Sequence, residues 1–187
     1  MSRIAWVFHA SDGRGRVLKA LIERYINDLG LLLPRVDSDD PLAALEAELS
    51  SESSQLDAVD GQPDFERFFP PAVADEAEAA EFRRRAVPGQ ARNRLNAARR
   101  VLANLGEVEC IQVPVAVEDI DCWVQVLTAV RMQWHVELTG SSERLAVPTA
   151  EALEESPDVT AILDWLALLI EDALQAKWRL SPPGEGR

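Results

Sequence analysis

Two C-terminal segments constrain the fold most. Residues 118–138 place Ile120, Trp123, Leu127, Val130, Trp134 and Leu138 on one helical face. Residues 157–178 place Val159, Ile162, Leu163, Leu166, Leu169, Ile170 and Leu174 on another, widened by Trp165 and Leu168. Ser156-Pro157-Asp158 starts that last helix, with proline at the first helical position. Two stripes this apolar need a partner, and each other is the nearest one. They predict a core helix pair, with 157–178 central. A third helix is expected from Arg16 to Leu33, ended by Pro34.

Strand patterns are few. RIAWVFH (3–9) alternates Ile4, Trp6 and Phe8 on one face. Residues 109–117 alternate Ile111, Val113, Val115 and Val117 with Gln112, Pro114 and Ala116. Pro114 cannot donate to a ladder, so this strand belongs at an edge, paired with 3–9. The expected fold class is mainly α: one compact helical domain over 1–187 with a short two-stranded β element. SPPGEGR (181–187) reads as a frayed tail.

Charge is unevenly spread. Of a formal −13, residues 37–81 carry fourteen acids against Arg67 alone, a local −13. Residues 35–72 therefore read as an acidic, mobile insertion, with DFERFFPP as an aromatic cluster able to dock it onto the body. Residues 82–106 reverse the sign with Arg83, Arg84, Arg85, Arg92, Arg94, Arg99 and Arg100 and no acid. This block lies on two helices, 72–87 and one from about 91 to Gly106, with Pro88 expected to separate them. It is a candidate binding surface for nucleic acid or an acidic protein segment. Internal charge balance against the neighbouring acids explains it as well, and the overall acidity disfavours direct DNA binding.

The chain has two cysteines, Cys110 and Cys122. No signal peptide and no membrane-spanning run is present in the sequence, which points to the cytoplasm, where a cysteine pair is more often redox-active, catalytic or metal-binding than structural. On a helical wheel Cys122 falls about 130° from the centre of its apolar stripe, on a partly covered flank. A straight strand over 110–116 climbs roughly 20 Å at about 3.3 Å per residue. The helix returns only about 6 Å by Cys122. A disulfide needs Cα atoms roughly 4.4–6.8 Å apart, so bonding requires a bend at Pro114 or remodelling on oxidation. Two ordinary small buried cysteines remain the alternative. His9 and His135 lack structural-zinc spacing to the cysteines, and the carboxylates form no nameable dyad, so no catalytic residue, metal site or cofactor is expected. Arg131 falls near the apolar stripe, is expected half-buried, and is assigned Asp164 as a structural partner.

Three stretches, FRRRAVPGQARNRLNAARRVLANL, DCWVQVLTAVRMQWHVEL and DVTAILDWLALLIEDAL, occur in that order. Together they resemble an actinobacterial family long catalogued as a domain of unknown function, whose genes lie near a Clp adaptor. The resemblance covers roughly 78–176, with a looser match over 3–33. Some of its members are described as an oxidative-stress regulator. There, a widely spaced cysteine pair oxidises and the oxidised protein engages an extracytoplasmic-function sigma factor. The resemblance implies that Cys110 and Cys122 are a reversible redox pair and that the partner is a sigma factor. Two other functions stay open: a thiol-independent helical scaffold or adaptor, and a weak nucleic-acid binder acting through the arginine block.

Overall fold

A computed structural model of the protein describes residues 3–33, 62–70, 73–106, 111–143 and 145–180. In chain order these form β1 (Ile4–His9), α1 (Arg14–Gly30), α2 (Pro63–Phe68), α3 (Glu76–Leu105), β2 (Gln112–Ala116), α4 (Ile120–Thr139), α5 (Ala150–Glu155) and α6 (Pro157–Leu180). The architecture is mainly helical with one two-stranded antiparallel sheet, as the sequence predicts.

The sheet pairs Trp6 with Val115, Phe8 with Val113 and His9 with Gln112. Its inner face is Trp6, Phe8, Val113 and Val115, all buried, while Ile111 and Val117 at the strand ends are exposed. Pro114 stands in register opposite Val7; the register irregularity lies between Ile4 and Trp6. A two-stranded sheet gives each strand a free edge, where a missing N–H is tolerated. Trp123 of α4 fills the inner face. Its ring lies 5.6 Å from that of Trp6 and 5.7 Å from that of Phe8. Its indole N–H donates to Asn104 at 3.0 Å, so the largest buried side chain also has its polar atom satisfied.

Helices α4 and α6 form the most extensive helix–helix contact, as their stripes demand. Helix α6 is not the central core helix, however. It buries Leu163, Leu166, Ala173 and Ala176 and leaves Leu168, Leu174 and Trp178 exposed. The centre is α4 instead, with Trp123, Leu127 and Val130 fully buried and with α3, α6, α1 and α2 packed against it. Gly140 closes α4 in the left-handed conformation, at φ 63°.

Pro88 does not separate two helices. Helix α3 runs unbroken over 30 residues, from an Asp75 cap whose carboxylate accepts from the Glu78 N–H at 2.9 Å. Proline inside a helix loses one backbone bond and costs about 3 kcal/mol. Here Val87, Pro88 and Ala91 are all buried on the body, where α3 packs along α1, and that burial holds the helix together across the proline.

The aromatic cluster docks as expected. Phe65, Phe68 and Phe69 are buried, with Phe68 5.7 Å from Tyr25. The rest of the 35–72 segment and the 181–187 tail lie outside the described residues.

Candidate functional site

Cys122 sits in the first turn of α4 as a free thiol, half-buried against the core. This is the flank position read from the helical wheel. Cys110 lies outside the described residues. The strand from Gln112 to Ala116 follows, about 13 Å long at the usual rise.

The turn that carries Cys122 is tied to its surroundings on both sides. Asp119, 8% exposed, is paired with Arg100 of α3. Asp121 accepts from Lys177 of α6, Nζ to Oδ1 2.6 Å. Lys177 is a wall of an open groove of about 720 Å³ between α4 and α6. Arg131, Ile170, Glu171, Leu174 and Trp178 line the same groove. Trp178 is 80% exposed and Leu174 is 46% exposed, so the groove presents apolar surface to solvent. The sheet reaches this helix too: the Trp6 indole N–H donates to the Asp172 carboxylate at 3.1 Å. Sequence reading did not find the groove. Leu174 and Trp178 belong to the same apolar stripe as the buried residues, and periodicity cannot tell a covered position from an uncovered one.

Arg131 is half-buried, as expected, but its partner differs. Its Nε donates to the Leu163 main-chain carbonyl at 3.2 Å, while the neighbouring Asp164 is exposed. A guanidinium offers five donors, and a carbonyl from the facing helix satisfies one without a second charge. Arg131 also stands near His135, whose pKa is lowered by burial first and then by the positive charges of Arg131 and Arg67.

Most of the arginine block is engaged. Arg84 and Arg85 both pair with Glu81, at 2.9 and 2.6 Å, which holds the Glu81 carboxyl below its usual range. Arg94 donates to the Phe68 carbonyl at 3.2 Å and stacks 5.2 Å from the rings of Phe68 and Phe69. Arg100 holds Asp119. Arg83 and Arg92 have partners as well, and Arg99 is exposed. Arg85, Arg92 and Arg99, at seven-residue spacing, share one exposed face of this helix with Arg100 at its flank, whereas Arg83, Arg84 and Arg94 point elsewhere.

No helix among the described residues is long and apolar enough to cross a membrane. No curated protein and no solved structure matches the chain. The family model described as "domain of unknown function (DUF2017)" matches residues 6–177, nearly the whole described body, and the chain belongs to that family.

Proposed function

We propose that this chain is a cytosolic, cofactor-free regulator of the oxidative-stress response, in which Cys110 and Cys122 form a reversible disulfide that controls docking of a protein partner in the α4–α6 groove. The observation that carries the reading is the Asp121–Lys177 pair, which ties the turn bearing Cys122 to a wall of the groove. The partner, by resemblance, is an extracytoplasmic-function sigma factor.

The chemistry balances with peroxide as the oxidant. One thiolate attacks a peroxide oxygen, gives a sulfenic acid and releases hydroxide. The second thiol attacks the sulfenic sulfur, forms the S–S bond and releases water. Overall, two thiols and one peroxide give one disulfide and two waters. On this reading β2, which lies between the two cysteines in the chain, is the segment that oxidation remodels. Closing the loop biases the remodelled state by about 3 kcal/mol, less any strain. That shifts a two-state equilibrium by about two decades. β2 pairs with β1, and β1 reaches α6 through Trp6 and Asp172, so remodelling has two routes to the groove.

The test pairs two variants with purified sigma factor. Trp178→Ala removes an exposed groove residue and is expected to abolish docking while the fold persists. Cys110→Ser/Cys122→Ser is expected to abolish only the peroxide response. If the double variant docks and responds like wild type, the thiol-independent scaffold reading replaces this one.

A further inference from the structure

A second cavity lies on the other side of α4, between α1, α2 and α4, with a volume of about 190 Å³. Its walls include Tyr25, Leu29, Phe65, Phe68, Phe69 and Gln133. Gln133 Oε1 is buried in these walls without a hydrogen-bond partner, and the buried Tyr25 hydroxyl, with Arg94 beside it as a donor to its oxygen, keeps its own O–H unpaired. Tyr25 is 1% exposed and Gln133 3%. Buried polar groups are almost always satisfied, and leaving one unpaired is costly. The Gln133 amide cannot simply turn over, because its Nε2 donates to the Asp28 carboxylate. Its acceptor is therefore left over by construction. The Tyr25 hydroxyl keeps its proton, since burial raises its pKa more than the nearby Arg94 lowers it.

We propose that this cavity is a binding site for a small, planar, non-anionic molecule with an N–H donor edge, of the aromatic-amide class. The three phenylalanines and Leu29 supply apolar walls for a flat body. Gln133 Oε1 accepts from the ligand's N–H, and the Tyr25 hydroxyl donates to its carbonyl. An anion is disfavoured by the charges nearby. The Asp28 carboxylate in the wall is met by the neutral Gln133 amide, and Arg24, the cation of this wall, is already paired with Glu137 at 2.9 Å and stacked 4.8 Å from the Trp134 ring. An anionic ligand would find no uncommitted cation among these walls. The volume equals roughly six waters at about 30 Å³ each, enough for a single ring with one substituent. The site uses no cysteine and is independent of the thiol reading.

The experiment titrates the full reduced chain with benzamide, and with benzoate as the charged control that lacks the donor. NMR shifts and a crystal soak read the outcome. Saturable benzamide binding in the cavity is expected, with a dissociation constant on the order of 1 mM, a strength accessible to about nine heavy atoms. Benzoate is expected not to bind. Tyr25→Phe, which keeps the ring and deletes the O–H donor, should fold normally and weaken benzamide about five- to tenfold; Gln133→Leu should do the same. The proposal is overturned if benzamide does not saturate, if both variants bind it undiminished, or if ordered waters alone satisfy Tyr25 and Gln133 and are not displaced.

Discussion

Lys177 Nζ lies 2.6 Å from Asp121 Oδ1, joining the last turns of α6 to the first turn of α4. The residue after Asp121 is Cys122, and Lys177 is a wall of the groove that Trp178 also lines. Both charged side chains are well exposed, so the pair contributes little to stability, under about 1 kcal/mol. Its importance is as a connection. Asp121→Asn should leave the melting temperature nearly unchanged. On the proposed switch, it should also make the affinity of the reduced protein for the proposed sigma-factor partner approach that of the oxidised one. Parallel thermal melts and titrations in both redox states check this; an unchanged redox difference in affinity would remove the pair from the switch.

Trp123 is the other side chain that joins several elements. It is fully buried against Trp6 and Phe8 and donates to Asn104. Trp123→Ala should cost about 3–5 kcal/mol of unfolding free energy, as for large-to-small changes in other cores. Trp123→Phe should cost less, with about 1 kcal/mol of the loss due to the Asn104 hydrogen bond. Urea denaturation of the two variants separates the packing and hydrogen-bond contributions.

Much of this fold was legible in the residues, and the departures have physical causes. The Trp6/Phe8 and Val113/Val115 alternations identified both strands and their pairing, because a two-sided strand needs period two. The α4 and α6 stripes identified the main helix pair. Pro88 misled because a local backbone rule was outweighed by burial of Val87, Pro88 and Ala91. Arg131 was read to be half-buried, but its partner is a main-chain carbonyl, and main-chain acceptors carry no sequence signature. Gln133 had a signal that went unused: it follows Val126 and Val130 on the same buried row of α4, where a polar residue needs an explanation.

His135 gives a pH signature. Burial and the charges of Arg131 and Arg67 lower its pKa below the ordinary 6.5. On acidification the unfolded chain takes up the proton near pH 6.5 while the folded chain resists it. Stability is therefore lost as pH falls through about 6.5 and is unaffected by this group at higher pH. His135→Gln should lose less stability than wild type between pH 7 and the mildly acidic range. Melting temperatures across that range test the sign, which parallel curves for the two proteins would contradict.

The arginine block makes a negative prediction. Arg84, Arg85, Arg94 and Arg100 are already held by Glu81, Phe68 and Asp119, and the chain's net charge is −13. No saturable binding to random duplex DNA is expected at ~150 mM salt. Fluorescence anisotropy measures it directly. Tight, steeply salt-dependent binding would restore the nucleic-acid reading.

The most direct test of the central claim is intact mass with peptide mapping after peroxide, with and without reductant. The account predicts a loss of about 2 Da that maps to a Cys110–Cys122 cross-link and is reversed by thioredoxin. Thiols that stay free, or that oxidise separately to sulfinic and sulfonic acids, would contradict it, and the chain would then be a helical docking domain that happens to contain two cysteines.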